Sequence, residues 1–395
     1  MTMPAIVLPT VDRGLETYKL SPARNFDILT NGAAPRIAYA AVHVVADPLG
    51  AGDPWLDTAI DWDKTIAYRR YLWGLGLGVA EAMDTAQRGS GLNWPSSFEL
   101  IRRSVAAAAD FTASTGRPAL LASGAGTDHL DVADCREIDD VIAAYEQQCS
   151  AIENAGGRII LMASRALAAR ATSPDDYIRV YNHILGQVTQ PVIVHWLGDM
   201  FDPALAGYWG HDDLDQAMAV CLEVLNGNAD KVDGIKISLL DERREVTMRN
   251  RLPDGVRMYT GDDFNFAKLI AGDREDYSDA LLGIFDAIAP AASAALQAMA
   301  KQDMAGYWEI FEPTVPLSRH VFATPTRFYK TGIVFLAYLN GHQDHFVMVG
   351  GQQSARSLLH LAELVRLADR AGILRDPELA RARAAQVMAV HGVGG

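Results

Sequence analysis

The sequence predicts an α/β protein built as a (β/α)8 barrel, the TIM-barrel architecture, with an N-terminal arm and a C-terminal helical extension. Three observations predict it. Short apolar runs alternate with longer helical patterns, the rhythm of parallel strands joined by helical crossovers. The alternations number eight and span roughly 250 residues, the usual size of a closed eight-stranded barrel. No G-x-G-x-x-G follows a strand, which argues against the doubly wound open sheet that is the runner-up. The glycine-rich GLGLGVAE at 74–81 precedes its strand and reads as a turn into it.

The eight runs are RIAYAAVHVVA (36–46), GVAEAMDT (78–85), RPALLASGAG (117–126), GRIILMAS (157–164), QPVIVHWLG (190–198), VDGIKISL (232–239), VRMYTGDD (256–263) and the weakest, ALLGIFDAIAP (280–290). Helices are expected between them. SPDDYIRVYNHILGQV carries a Ser cap, then Pro174, then two aspartates in its first turn, all of which suit a helix N-terminus. DCREIDDVIAAYEQQCSAIENAGG ends in glycines, as a helix before a strand often does. The expected domains are an arm at 1–35, the barrel at 36–290 and an alanine-rich helical subdomain at 291–395.

Composition narrows the class of protein. The chain has 395 residues, 49% apolar and 21% charged, enough to bury a large core. A formal charge of −14 argues against nucleic acid or an anionic membrane as partner, because both call for a basic surface. The N-terminus lacks a basic region followed by a long apolar run, so no secretory signal is expected. No stretch reads as a membrane span, because Asp and Pro interrupt the longest apolar runs. The cysteines Cys135, Cys149 and Cys221 show no close metal-type spacing and suit reduced thiols in a cytoplasm.

One residue stands out. In KVDGIKISLLD (231–241), Lys236 sits in an apolar strand. Alternation places Ile235, Ile237 and Leu239 on one face and Gly234, Lys236 and Ser238 on the other. Burial disfavours the ammonium and makes a neutral amine available to attack a carbonyl. The plainer reading is a lysine that snorkels to solvent or pairs with Asp233 or Asp262.

Barrel chemistry gathers at the C-terminal strand ends, and these ends are polar. They carry Asp84-Thr85, then Ser123 with Gly124 to Thr127, then Ser164-Arg165, His195, Lys236 and Gly261-Asp262-Asp263. With its residues in this order, the chain resembles the dihydrodipicolinate synthase and N-acetylneuraminate lyase superfamily of class I aldolases. More narrowly, it resembles an uncharacterised dihydrodipicolinate-synthase-like branch. DGIKIS is similar to the family's sixth-strand segment, MYTGDDFNFAKLIAGD to the seventh, AMDTAQRGSGLNW to the Gly-Thr-Thr-Gly-Glu region, LASGAGTDHL to the third-strand turn and QPVIVHW to the strand ending in Tyr-Asn. The likeness covers roughly residues 36–300.

The resemblance implies that Lys236 forms a Schiff base. It places His195 where the family has a proton-relaying tyrosine, and histidine also moves protons near neutral pH. It aligns Thr85 with the second of two paired threonines and Asp84 with the first. An aspartate there suits a substrate hydroxyl or amine better than a carboxylate. The arginine that holds a 2-oxo acid in some members falls near Met200, with Arg165 as a substitute, and MASRALA replaces the family's Pro-Tyr-Tyr segment. A 2-oxo acid substrate is therefore in question, while the lysine is retained.

The expected function is a Schiff-base-forming class I aldolase or lyase acting on a small oxo compound, with sugar-derived carbonyls among the candidates. Lys236 and His195 are the expected catalytic residues. Asp84, Thr85, Gly124, Arg165, Gly261, Asp262 and Asp263 are the expected substrate-binding set. No cofactor and no metal ligands are expected, and the partner is a small-molecule carbonyl compound. The resemblance adds a homo-oligomer, dimer or tetramer. One alternative is a metal-dependent sugar isomerase or epimerase, for which only Asp84, His195, Asp262 and Asp263 qualify as strand-end ligands. The other is a barrel that binds a ligand without catalysis. The loop GDMFDPALAGYWGHDDLD (198–215) reads either as a lid that stacks Tyr208 and Trp209 on substrate or as an anchor in an oligomer. His342 and His345 lie close together with Asp344 between them, but no H-E-x-x-H frame accompanies them.

Overall fold

Eight strands close on themselves in chain order. The computed structural model describes residues 3–29, 34–273 and 276–393, so the ends of the expected arm and extension, 1–2, 30–33 and 394–395, lie outside the described residues. A hairpin comes first, β1 (Ala5–Pro9) paired antiparallel with β2 (Leu15–Lys19). The barrel strands follow as β3 (Ala38–Ala41), β4 (Gly78–Glu81), β5 (Leu121–Ala125), β6 (Ile159–Leu161), β7 (Val192–Leu197), β8 (Val232–Ser238), β9 (Arg257–Thr260) and β10 (Asp279–Leu282). Each pairs in parallel with the next, and β10 pairs back onto β3.

Every expected run overlaps a strand, and the first seven contain theirs whole. The eighth differs in extent: β10 stops at Leu282, and Ile284–Ala287 is a short helix followed by the helix Ala289–Ala300, with Pro290 in its first turn. An apolar run buried on all sides has no alternation to separate strand from helix, and Pro290 suits a helix start. Between strands, Pro174–Gln187 is a helix whose Ser173 cap forms a capping box with Asp176. Ile138–Asn154 is a helix with the same device between Glu137 and Asp140. No helix among the described residues is long and apolar enough to cross a membrane.

The chain divides into two compact units. One holds 36–42 and 78–282, which include every barrel strand. Its interior packs Tyr39, Ala41, Ala80, Met83, Ala122, Ile160, Ile193, Tyr259 and Leu281. The rings of Tyr39 and Tyr259 meet edge to face with centroids 6.2 Å apart. Glycine makes room for them: a Cβ on Gly78 would lie 2.6 Å from the Tyr39 ring, and one on Gly234 2.6 Å from the Tyr259 ring.

The other unit holds 1–35, 43–77 and 283–395. There the hairpin docks on the helix Leu358–Arg370: Tyr18 Oη and the Ser21 backbone N–H donate to Asp369, and Arg366 donates to Glu16 and to the Pro9 carbonyl. His43 and Asp286 are fully enclosed, and both the backbone N–H and Nδ1 of His43 lie 2.7–2.9 Å from the carboxylate. The His342 ring packs on Tyr68 and Tyr71, Asp344 pairs with Lys64 and Arg383, and His345 Nδ1 accepts from the Val347 N–H.

Candidate active site

Lys236 points into the barrel. Gly234, two residues earlier on β8, faces the interior ring of Tyr259, and alternation puts Lys236 and Ser238 on the same side. Lys236 is 7% exposed, so it does not snorkel. The two carboxylates proposed as ordinary partners are engaged elsewhere. Asp233 bonds Arg257 at 2.7 Å and the Tyr259 hydroxyl at 2.6 Å. Asp262 accepts from the Phe264 and Asn265 N–H groups and from Asn265 Nδ2.

Burial pulls the Lys236 amine down from 10.5 to about 8, while the negative charges of Asp263 and then Asp84 hold the proton on. Gly261 fits the lysine in place. A Cβ there would meet the Lys236 Cε at 2.8 Å and would also overlap Ser238 Oγ. The Gly261 N–H donates to the Ile237 carbonyl at 3.0 Å, which stitches the end of β9 to β8.

His195 is paired in register with Lys236 across β7 and β8. Ile193 faces the interior, so His195, two residues on, does as well. Burial first, and the Lys236 charge second, hold its pKa well below the usual 6.5, which leaves a neutral imidazole at physiological pH. Its Nε2 lies 3.2 Å from Ser238 Oγ. Lysine, serine and histidine thus occupy one interior face of two adjacent strands.

The loop after β4 brings in the acidic partner. Ala82 and Gln87 take left-handed backbone, φ 51° and 67°, an uncommon conformation for these residues. Two buried groups stabilise the turn. Glu81 accepts from the Ala82 N–H and from Ser104 Oγ. Arg88 donates Nη1 to the Ala82 and Gly124 carbonyls at 3.2 and 2.7 Å. Its Nε and Nη2 donate to Asp128 at 3.0 and 2.7 Å, and Nη2 also to Gln148 Oε1. Gln148 in turn accepts from the Gly126 N–H and donates to His129 Nδ1. Burial drives the Asp128 carboxyl up, but the Arg88 charge and the hydrogen bonds from Arg88 and Gln148 together bring the net shift downward.

A cavity of about 490 Å³ opens over this floor, walled by Asp84, Arg88, Gly126, Thr127, Asp128, His129, Asp131, Met162, Arg165, His195 and Asp202 among others. Of the expected residues, Asp84, Arg165 and His195 are in the wall. Lys236 is not; it adjoins the wall through His195 and within electrostatic reach of Asp84. Thr85 is 1% exposed in the turn Asp84–Ala86. Gly124 packs against the Ala82 carbonyl and Met162, where a Cβ would come within 2.8 Å of each. Arg165 reaches Asp202 at 2.5 Å on the outer rim.

Sequence reasoning missed Arg88 with Asp128 and Gln148, because partners 40 and 60 residues apart leave no local pattern. Ser238 had a signal, since it shares the face of Lys236. The 198–215 loop is not a lid of exposed aromatics: Tyr208 is 3% and Trp209 0% exposed. Trp209 packs on Tyr177, Tyr181, Trp196 and Tyr208, and the Tyr208 hydroxyl accepts from the Ser164 N–H. Among the described residues, no group of three His, Cys, Asp or Glu side chains is arranged to hold a metal ion.

Fold and site together define a (β/α)8 barrel with a buried amine on its sixth strand, next to a cavity that carries charged side chains among apolar ones. Solved structures share the fold. A 4-hydroxy-tetrahydrodipicolinate synthase from Methylacidiphilum fumariolicum SolV is 14% identical, with 87% of this chain and 99% of that one covered and a TM-score of 0.64. A dihydrodipicolinate synthase from Aquifex aeolicus is 10% identical, covering 86% and 99%, TM-score 0.62. Another from Oceanobacillus iheyensis is 14% identical, covering 84% and 96%, TM-score 0.57. The chain itself belongs to the family described as "Protein of unknown function (DUF993)", whose model matches residues 6–393. No curated protein matches its sequence.

Proposed function

We propose that the protein is a class I aldolase or lyase that acts on a small oxo compound through a Schiff base on Lys236. The observation that carries this reading is the inward amine of β8, 7% exposed and paired in register with His195; burial pulls its pKa down, which favours the neutral nucleophile. The barrel shared with dihydrodipicolinate synthases supports it as fold analogy.

The Lys236 lone pair attacks the carbonyl carbon, and loss of water from the carbinolamine gives an iminium. A base takes the proton from a hydroxyl β to the iminium. The carbon–carbon bonding pair then moves to the iminium, leaving an enamine and releasing a carbonyl fragment. The enamine carbon takes back a proton, and water hydrolyses the iminium to free the second fragment and the lysine. His195, neutral and bonded to Ser238 Oγ at 3.2 Å, is the group placed to hold or return the proton. Asp84 and Thr85 orient hydroxyls, and Asp263 tunes the amine. A cytoplasmic homo-oligomer belongs to the same reading.

The test is borohydride trapping with a panel of oxo acids, aldehydes and keto sugars, mapped by mass spectrometry. An adduct on Lys236, together with loss of turnover in a folded Lys236→Ala variant, is the expected result. An active Lys236→Ala enzyme overturns the proposal.

A further inference from the structure

The charge balance of the cavity narrows the substrate, given the Schiff-base reading above. Its wall carries four aspartates, Asp84, Asp128, Asp131 and Asp202, against two arginines, Arg88 and Arg165. A substrate carboxylate needs a cation with N–H groups to spare, and a guanidinium has five. Arg88 spends all five inside the protein: one on Asp128 Oδ2, two on the Ala82 and Gly124 carbonyls, and two on Asp128 Oδ1 and Gln148. Arg165 donates its Nε to Asp202 Oδ2, and its side chain is 45% exposed, so an anion met there is in contact with solvent. No buried cation is thus left in the wall to receive an anion, and the carboxylate within reach of Lys236 from the wall is Asp84.

We infer that the site accepts uncharged, hydroxyl-bearing aldehydes or ketones and turns away 2-oxo acids, with Asp84 as the residue that discriminates. An anion bound at the buried Lys236 lies beside a like charge, and repulsion near a buried group is screened less than at the surface. A hydroxyl donates to that same carboxylate. Thr127 Oγ1, 2.6 Å from Ser164 Oγ, is a further hydroxyl partner in the wall. Specificity then rests on a repulsive element as much as on an attractive one.

The experiment compares pyruvate with methyl pyruvate, which differ in charge at the same carbonyl, and adds dihydroxyacetone. Each is trapped with borohydride on the full-length protein, and labelling of the Lys236 peptide is normalised to that of free N-acetyl-lysine. Methyl pyruvate and dihydroxyacetone are expected to label at least about tenfold better than pyruvate. Asp84→Asn, which keeps the shape and removes the charge, is expected to lower the ratio of ester to acid clearly, the remainder being due to Asp263, the stronger charge on Lys236. That ratio is insensitive to the amine's own pKa, because both probes meet the same amine. Equal labelling by pyruvate and methyl pyruvate in the unmodified protein overturns the inference and leaves the Schiff-base reading standing. An unchanged ratio in Asp84→Asn removes Asp84 as the discriminator. No label on Lys236 from any probe overturns the Schiff-base reading, and this inference with it.

Discussion

Replacing Asp263 with Asn tests the electrostatics that make Lys236 reactive. Burial takes the amine from 10.5 to about 8, and the Asp263 carboxylate is the strongest influence in the other direction. Removing that charge weakens the hold on the proton, so the titration moves below 8. A carboxylate close to a cation shifts its pKa by about one unit or more, which is about 1.4 kcal/mol per unit. A shift of that size puts the midpoint near 7 and raises the neutral fraction at pH 7 from about one-tenth to about one-half. The assay is the rate of reductive methylation of the Lys236 peptide, followed by mass spectrometry between about pH 6 and 10. The rate in the unmodified protein should level off above about 8, and the variant should level off earlier. An unchanged or higher midpoint in Asp263→Asn refutes the reasoning.

Other consequences follow from the same contacts. Gly261→Ala places a methyl group 2.5 Å from the Ile237 carbonyl as well as against the Lys236 Cε and Ser238 Oγ, so the end of β8 must shift and trapping at Lys236 should fall at least about tenfold. Glu245 is buried and held up near 8, with burial the largest cause. The native state therefore keeps a proton that the unfolded chain loses above 4.5, and stability drops as pH rises from 4.5 to about 8. Urea unfolding at the two ends of that range should show Glu245→Gln gaining on the parent by up to about 4 kcal/mol at the upper end. Trp209→Ala empties a fully buried site in the aromatic cluster and should cost about 3–5 kcal/mol, read as a drop in Tm. A lid residue would show no such loss.

The barrel was legible because each strand is a short apolar run flanked by helical patterns, and all eight runs overlap a strand. Lys236 was legible for a related reason: a charge at an alternating apolar position breaks a pattern. What stayed hidden depends on distance along the chain. Arg88 reads as an ordinary loop arginine until Asp128 and Gln148 fold against it. Tyr208 and Trp209 sit in a polar loop that looks exposed, yet Tyr177 and Tyr181 from the helix Pro174–Gln187 enclose them. Segments 1–35, 43–77 and 283–395 form one unit although the barrel's residues interrupt them, and no local periodicity reports such an assembly. The end of the eighth run could not be divided into strand and helix, since Ala280 to Ala287 are buried throughout.

The central claim is that the buried amine is the nucleophile, and a contest among lysines tests it most directly. Lys64, Lys268 and Lys301 have side chains 45%, 70% and 55% exposed, so simple access favours them. The measurement is limited labelling of the folded protein at neutral pH with glycolaldehyde and cyanoborohydride, with every lysine peptide quantified. Lys236 should be labelled first, ahead of these more exposed amines, and the preference should disappear on unfolding. Labelling that follows exposure and leaves Lys236 unmodified would contradict it.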